Sequence, residues 1–188
     1  MEPVLPKLVE DACRTLQTLA LQEVTFQRIA AAAVATLKSG GKILTCGNGG
    51  SAADALHLAE ELVGRFRGNR RSLPAVSLTA DATLLTCIGN DYGFDEIFSR
   101  QIEGLGHKND LLVCFSTSGN SPNILRAISA AKSKDVKCVA FLGKGGGQSK
   151  GKADFEMIVA SSDTGRVQEA HTLLIHALLE VVEREITA

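Results

Sequence analysis

The sequence predicts an α/β fold, a three-layer sandwich in which helices cover both faces of a five-stranded, mostly parallel sheet. Short apolar runs alternate with longer stretches whose apolar residues recur at three- and four-residue steps, the pattern of parallel strands joined by helices. Two of the apolar runs end in loops rich in glycine and serine. The chain has 188 residues, 45% of them apolar, so it is long enough for one core.

The first 39 residues have a helical pattern and form an N-terminal arm. A second, alanine-rich helix is predicted over 23–38, and the Ser-Gly-Gly sequence at 39–41 stops it. We expect this arm to belong to one domain that spans 1–188. The apolar residues that define the first helix are Leu5, Leu8, Val9, Ala12, Leu16 and Leu19.

The rest of the chain predicts five strands and five helices in alternation. Such a sheet is flavodoxin-like, and its ligands lie beyond the carboxyl ends of the strands, near the switch point. The loops that follow the strands are therefore the expected place of a binding site. Strands are predicted at 42–46, 74–78, 110–115, 137–142 and 154–160, and helices at 51–66, 82–88, 95–105, 121–133 and 164–186.

The composition argues against a nucleic acid or membrane partner. The net charge is −1 and aromatic residues make up 4%, without tryptophan, so neither a basic surface nor a base-stacking platform is indicated. No stretch approaches the roughly 20 apolar residues of a membrane span, and no basic leader precedes an apolar segment. Five cysteines without a CxxC pair are typical of reduced thiols, so we expect a cytoplasmic protein.

The first predicted strand leads into a glycine-rich loop at 47–51, Gly-Asn-Gly-Gly-Ser. Its three glycines allow positive φ angles and bring backbone N–H groups close to a ligand. We expect Ser51 to cap the next helix, whose N-terminus would attract an anion. The spacing fits neither GxGxxG nor a Walker A loop, and an ordinary strand-to-helix turn is the alternative.

The third predicted strand also ends in hydroxyl groups, in the loop 116–121, Ser-Thr-Ser-Gly-Asn-Ser. Pro122 then suits the first helical position, with Ser121 as the expected cap. Hydroxyls together with a helix N-terminus can hold a phosphate dianion without a lysine. The alternative is that these hydroxyls only cap and turn the chain.

His57 and Glu61 are four residues apart on one predicted helix and so share a face. A histidine and a carboxylate at this spacing suit a divalent metal ion, and a simple surface pair is the alternative. His176 lies in an apolar helical stretch at 173–179, where a lone histidine is more often part of the core. Asp91 is expected in a loop, and the glycine-rich run 144–148 is expected to be a mobile connection.

Taken together, these motifs resemble the sugar isomerase (SIS) domain family and, within it, the phosphoheptose isomerases. The resemblance begins at about residue 41 and runs to the C-terminus. The motifs that carry it are both loops, His-Leu-Ala-Glu-Glu at 57–61, Gly-Arg at 64–65, Gly-Asn-Asp-Tyr-Gly-Phe at 89–94 and Arg-Val-Gln-Glu-Ala-His at 166–171. The sequence departs from some members at Ala52, where they have histidine, and at Gly165, where they have aspartate.

The resemblance implies interconversion of sedoheptulose 7-phosphate and D-glycero-D-manno-heptose 7-phosphate through an enediol, an early step toward ADP- or GDP-heptose and lipopolysaccharide precursors. It implies Glu61 as base and His176 as acid, in a homotetramer with active sites between subunits. One zinc ion per subunit would be held by His57, Glu61, Gln168 and His176. Substrate would meet Asn48, Gly49, Gly50, Ser51, Glu61, Asn90, Asp91, Ser116, Thr117, Ser118, Ser121 and Gln168.

The spacing of Gln168 and His176 conflicts with a shared ion on a straight helix. Eight residues correspond to about 12 Å of rise and about 80° of rotation. The helix must therefore begin late or bend, or one ligand must come from another subunit. His171 is a reserve ligand.

Three other functions are open to such a chain. A non-catalytic SIS protein of the replication-initiator-associating type would keep the fold without the ligand set. An isomerase for a hexose or pentose phosphate would share the chemistry. A nucleotide-binding α/β domain is disfavoured because GxGxxG and Walker A spacings are absent.

Overall fold

The computed structural model describes residues 2–187 and confirms the sheet of five parallel strands. The strand order is β2-β1-β3-β4-β5, and every neighbouring pair is parallel. This is the flavodoxin-like order, whose switch point lies between β1 and β3. The strands are β1 (Ile43–Gly47), β2 (Ala75–Ser77), β3 (Leu111–Ser116), β4 (Lys137–Leu142) and β5 (Phe155–Ile158).

Seven α-helices and three 3₁₀ turns occur in the described part of the chain. Two predicted helices end elsewhere: that at 51–66 stops at Val63, where Gly64 leaves helical geometry, and that at 82–88 continues to Tyr92. The α-helices are α1 (Leu5–Gln17), α2 (Glu23–Lys38), α3 (Gly50–Val63), α4 (Ala82–Tyr92), α5 (Ser99–Leu105), α6 (Pro122–Ser133) and α7 (Thr164–Thr187). The 3₁₀ turns are Thr18–Gln22, Phe94–Glu96 and Lys144–Ser149.

The sheet separates two apolar cores because successive strand residues point to opposite faces. Ile43 and Val113 point to the face covered by α2, α3 and α7, while Leu44 and Leu112 point to the face covered by α5 and α6. All residues of β3 are buried, as expected for a central strand covered on both sides. The three-layer sandwich is confirmed.

Three of the five cysteines lie in a buried row on the α5–α6 face. The Sγ atoms of Cys46 and Cys114 are 3.5 Å apart, and those of Cys114 and Cys138 are 4.0 Å apart. The contact with Cys114 and the burial raise the pKa of the Cys138 thiol well above its ordinary value. These three groups are free thiols inside the core, whereas Cys13 and Cys87 are exposed.

The N-terminal arm packs against the α3–α7 face of the sheet. Ile29 and Leu37 of α2 lie in the core, and the Gln22 side chain hydrogen-bonds both backbone groups of Ile158 in β5. In contrast, Leu5 and Val9 of α1 are more than half exposed. Within residues 2–187, no helix combines the length and apolar character needed to cross a bilayer.

Candidate active site

The first loop turns sharply between β1 and α3. Gly49 stands at the N-cap of α3 with φ 57° and ψ −122°, a backbone conformation that favours glycine. The predicted cap at Ser51 is wrong: this residue is already inside the helix, buried, and makes no capping bond. The backbone therefore makes this turn through its glycines and leaves the first turn of α3 without a side-chain cap.

The second loop keeps its hydroxyls in place through backbone donors. The N–H of Gly119 donates to Ser116 Oγ at 3.0 Å, and the N–H of Asn120 donates to Ser118 Oγ at 3.2 Å. A hydroxyl that accepts such a bond still has its own proton to donate to a ligand. Ser121 stands at the N-cap of α6, but its side chain makes no capping bond, so that part of the prediction is wrong.

The two loops meet at the switch point. The side-chain amides of Asn48, in the first loop, and Asn123, in the first turn of α6, exchange two hydrogen bonds of 2.8 and 2.9 Å. Asn123 is buried, so this amide pair is a fixed part of the structure. The hydroxyl-rich loop and the glycine-rich loop thus open at one edge of the sheet, as the sequence predicts for a phosphate-binding edge.

The glycine-rich segment after β4 supports the second loop. Ser149 donates to the Gly119 carbonyl from its N–H at 2.9 Å and from its Oγ at 2.8 Å, and the Gln148 N–H donates to Asn120 Oδ1 at 2.9 Å. Gly145, Gly146 and Gly147 all have positive φ angles. The segment expected to be a mobile connection is thus hydrogen-bonded to the second loop, and its three glycines depart from 3₁₀ geometry.

Below the loops, α3 and α7 run side by side in the same direction, and polar groups face each other along their seam. At the start of the seam, the Gln168 side chain packs directly on Gly50: a Cβ added to Gly50 would lie 2.0 Å from Gln168 Nε2. The Thr172 hydroxyl, four residues further along α7, donates to Asp54 Oδ1 at 3.2 Å. Burial raises the pKa of Asp54 to about 6, and the Thr172 hydroxyl and nearby His57 lower it in part.

The next level of the seam brings together three of the predicted catalytic and metal-binding residues. His57 Nε2 is 3.6 Å from Glu61 Oε1, and the rings of His57 and His176 meet edge to face with centroids 5.0 Å apart. Ligand atoms of His57, Glu60 and Glu61 all lie within 4.8 Å of one another. Imidazole nitrogens and carboxylate oxygens are donors that zinc accepts, so this donor set fits a divalent ion.

Gln168 lies two helical turns before this cluster. Helix α7 begins at Thr164, as predicted, and continues to Thr187, which rules out a late start among the three alternatives. His171 is also apart from the cluster: it is fully buried and packs on Phe115 and Phe141 at centroid distances of 5.8 and 6.3 Å. The structure thus brings together His57, Glu61 and His176 and leaves Gln168 beside the first loop.

Asn90 and Asp91 lie in the last turn of α4, so the predicted loop position of Asp91 is wrong. The helix ends just before Gly93, whose φ of 91° turns the chain away. Both side chains are exposed, and Asn90 Nδ2 donates to Asp91 Oδ1 at 2.8 Å. Their role in substrate binding stays a prediction.

Sequence analysis missed the residues that hold His176 from its other side. The ring of Phe66 stacks on His176, with centroids 5.5 Å apart and planes 22° from parallel. Phe66 is held by Glu183, whose carboxylate accepts from the N–H groups of Phe66, Arg67 and Gly68 and from Arg70 Nε. No local motif marks this contact, since Phe66 and Glu183 are 117 residues apart.

Asp54 was missed as well, although a signal for it exists. It lies three residues before His57, the spacing that places two side chains on one helix face. It is 7% exposed, and its Oδ2 makes no hydrogen bond with any described residue. A buried carboxyl oxygen without a partner beside candidate catalytic residues indicates a functional role.

The chain is similar in sequence and in fold to known proteins. The sequence profile of the SIS domain family matches residues 9–143. The phosphoheptose isomerase of Burkholderia pseudomallei is 46% identical over 181 residues, which cover 95% of this chain and 92% of that protein. The Campylobacter jejuni enzyme of the same name is 52% identical over 147 residues, or 78% and 79% of the two chains. The solved phosphoheptose isomerase of Neisseria gonorrhoeae superposes with a TM-score of 0.89 at 40% identity, covering 96% of this chain and 97% of that one.

Proposed function

This chain belongs to the SIS domain family, among its phosphoheptose isomerases, and we propose that it interconverts sedoheptulose 7-phosphate and D-glycero-D-manno-heptose 7-phosphate. It is an isomerase that moves a hydrogen between adjacent carbons of a phosphorylated sugar. The resemblance seen in the motifs is confirmed by relatives that match nearly the whole chain.

The observation that carries the proposal is the meeting of His57, Glu61 and His176 on the seam that starts at the first loop. His57 and His176 are 119 positions apart, yet their ring centroids are separated by 5.0 Å. From Gly50 to His57 the helix rises about 10 Å, which separates the phosphate-binding edge from the acid–base groups. A sugar phosphate chain bound at the loops can extend along that distance.

The loops would bind the phosphate with neutral donors. The hydroxyl protons of Ser116 and Ser118 are available for donation because both oxygens already accept backbone N–H bonds. The N-termini of α3 and α6 add the positive ends of two helix dipoles. Binding energy at this remote end positions the reacting carbons for the chemical step.

Glu61 would act as the base and His176 as the acid. The Glu61 carboxylate removes the proton from the carbon beside the carbonyl, which gives a cis-enediol, and returns it to the neighbouring carbon. The His176 imidazole moves protons between the two oxygens. Glu61 faces His57 through Oε1, so its other oxygen remains for this proton transfer. The Phe66 ring restricts the His176 imidazole to one orientation.

A zinc ion, one per subunit, would be held by His57, Glu61 and His176. Gln168, the fourth predicted ligand, lies two helical turns away on α7 and would reach the ion from another subunit. Bound there, the ion would polarise the carbonyl and hydroxyl oxygens of the sugar. His57 has no other role in this proposal than to hold the ion and to orient Glu61.

We further propose a cytoplasmic homotetramer whose active sites lie between subunits. Apolar side chains stay exposed on α1 and after α4: Leu5 is 69% exposed and Phe94 is 65% exposed. Contact with a neighbouring subunit would bury them. Such contact would also bring further groups to Asn90 and Asp91, which are open to solvent at the end of α4.

The test is turnover of sedoheptulose 7-phosphate by the purified chain and by Glu61→Gln. We expect the variant to lose at least about 1,000-fold in kcat, because the amide cannot accept the carbon-bound proton. Glu103→Gln, an exposed change on the opposite face of the sheet, is the matched control and should keep full activity. An active Glu61→Gln enzyme would remove Glu61 from the role of base.

The same assay separates the alternatives. A non-catalytic SIS protein would show no turnover with any phosphorylated sugar while still binding one. An isomerase for shorter sugars would convert hexose or pentose phosphates with a higher kcat/KM than sedoheptulose 7-phosphate. Metal analysis of the purified protein, with zinc measured per subunit, tests the predicted ion independently.

A further inference from the structure

We propose that Asp54 is a positioning residue for His57, with Asp54 Oδ2 accepting a hydrogen bond from the Nδ1–H of the imidazole. The ring would then present Nε2, as a lone-pair donor, to the side of the seam where Glu61 and His176 lie. This role goes beyond the ligands and acid–base groups described above, and it concerns the same site.

The position of Asp54 supports this role. Three residues separate it from His57 on α3, and both side chains face α7. A side chain on a helix leans toward the helix N-terminus, so the His57 ring lies over the turn that contains Asp54. Asp54 is 7% exposed, and water therefore cannot easily satisfy it.

The hydrogen bonds around Asp54 show which atom is available. Oδ1 accepts from the Thr172 hydroxyl at 3.2 Å, whereas Oδ2 has no partner among the described residues. His57 lies close enough to Asp54 to lower the pKa of its carboxyl in part. The neighbouring His57 imidazole can supply the N–H donor that Oδ2 lacks.

The two nitrogens of His57 then have separate tasks. Nε2 already faces Glu61 Oε1 at 3.6 Å, so Nδ1 is the nitrogen left to contact Asp54. A neutral imidazole carries one proton, and two carboxylates compete for it. Glu61 Oε1 is beyond hydrogen-bond distance of Nε2, whereas the buried Asp54 Oδ2 has no other partner in the described part of the chain, so we place the proton on Nδ1. Histidines that ligate metals usually donate their other N–H to a carboxylate or carbonyl, which orients the ring and increases its basicity.

The inference rests on the proposed function only for its effect on turnover. Its direct consequence is a tautomer, which can be observed without substrate and without metal. The experiment uses the full chain labelled with ¹⁵N and treated with EDTA, and two-bond ¹H–¹⁵N spectra of the imidazoles at neutral pH. The chain has four histidines, so His57 can be assigned by substitution.

We expect wild-type His57 to carry its proton on Nδ1. Asp54→Leu should shift His57 toward the Nε2–H form, while Asp54→Asn, whose amide oxygen still accepts, should retain the Nδ1–H form. Thr172→Val is the matched control, since it removes the other partner of Asp54 and should leave the tautomer unchanged. An Nε2–H tautomer in the wild type, or an unchanged tautomer in folded Asp54→Leu, overturns the proposal.

If Asp54→Leu does not fold, the test uses the wild-type protein only. A slowly exchanging proton on His57 Nδ1 that shows cross-relaxation with the Asp54 β-protons supports the proposal, and absence of that proton signal refutes it. Zinc affinity, measured by competition with a chelating dye, should fall about 10- to 100-fold in Asp54→Leu. If the wild-type chain does not turn over sedoheptulose 7-phosphate but its His57 tautomer depends on Asp54, the proposed function is refuted and this inference stands. If the wild-type chain is active but the tautomer does not depend on Asp54, this inference is refuted and the proposed function stands.

Discussion

The second loop at the edge of the sheet holds its hydroxyl groups with backbone bonds, whereas the seam between α3 and α7 holds its polar groups with side chains. In the second loop, backbone N–H groups fix the hydroxyls of Ser116 and Ser118. On the seam, His176 is fixed by the rings of His57 and Phe66.

This difference predicts which substitutions each region tolerates. A loop built from backbone contacts depends on glycines, because an added Cβ meets main-chain atoms that cannot move aside. A seam built from side chains can absorb small changes in shape, but not the loss of a charged or aromatic partner. The four predictions below test this contrast, in order of decreasing effect.

The largest effect on stability is expected for Gly119→Ala in the second loop. Its φ is +64°, and an added Cβ would lie 1.9 Å from the Gly146 carbonyl oxygen, so the loop and its supporting turn must separate. We expect a loss of about 3 kcal/mol or more in the free energy of unfolding, measured in urea, and a weaker Kd for inorganic phosphate.

The matched control is Gly145→Ala in the supporting turn. Gly145 has a similar φ of +76°, but an added Cβ would meet nothing within 4 Å. Only the conformational penalty of about 1 kcal/mol remains. Equal losses in the two variants would show that the contact between loop and turn does not govern the stability of this edge.

Glu183→Gln should have the next largest effect, on the seam. The Glu183 carboxylate accepts from Arg70 Nε at 2.9 Å, and the Arg70 side chain is 1% exposed, so removing the charge leaves a buried guanidinium without its counter-ion. We expect a loss of about 3 kcal/mol in the free energy of unfolding and a lower kcat, because Phe66 is released from His176.

Glu180→Gln controls for this change, since the Glu180–Arg67 pair is exposed and should contribute less than about 1 kcal/mol. Phe66→Leu should reproduce the effect on kcat with a smaller effect on stability. If Glu183→Gln lowers the free energy of unfolding less than Glu180→Gln does, the buried Arg70–Glu183 pair does not stabilise this part of the seam.

The third prediction concerns pH and His171, which faces the core behind the seam. Burial lowers the pKa of His171 to about 4, although the nearby Leu142 carbonyl opposes this, and neither ring nitrogen makes a hydrogen bond of normal geometry. As the pH falls below about 6.5, His171 becomes protonated in the unfolded chain but stays neutral in the folded protein. The free energy of unfolding therefore decreases between about pH 6.5 and about pH 4.

His171→Phe removes this titration and keeps an aromatic ring between Phe115 and Phe141. From pH 7 to pH 4.5, the wild type should lose about 2 kcal/mol more in its free energy of unfolding than the variant does. His107→Gln, at an exposed histidine, should follow the wild type. Parallel pH curves for His171→Phe and the wild type would contradict the buried, neutral assignment.

The smallest effect on stability is expected for Gly50→Ala, where the loop meets the seam. The added Cβ would lie 2.0 Å from Gln168 Nε2, the end of a flexible side chain that can turn away. We expect a loss of less than about 1 kcal/mol in the free energy of unfolding. We also expect a several-fold higher KM, because the Gln168 amide changes position.

A double-mutant cycle with Gln168→Ala isolates this contact. In that background Gly50→Ala should leave KM unchanged, since the side chain it displaces is gone. A loss above about 3 kcal/mol in Gly50→Ala would show that Gln168 is as rigid as the backbone around Gly119.

Much of the loop edge could be predicted from the sequence because its determinants are local. The apolar runs predict the strands, and glycine and hydroxyl residues directly after β1 and β3 predict two anion-binding turns. The caps predicted at Ser51 and Ser121 are wrong, because Gly49 stands at the N-cap of α3 and the Ser121 side chain makes no capping bond. The spacing of His57 and Glu61 also predicts their shared face.

The sequence by itself determined the fold class, the edge of the sheet where we propose that a phosphate binds, and the family to which the chain belongs. Only the tertiary structure decided which α7 residues face α3, since the contact of His57 with His176 and that of Phe66 with Glu183 join residues more than 100 positions apart. Periodicity states which face of a helix is buried but not which helix covers it. Packing of α3 against α7 therefore placed Asp54, Phe66 and Glu183 around the site.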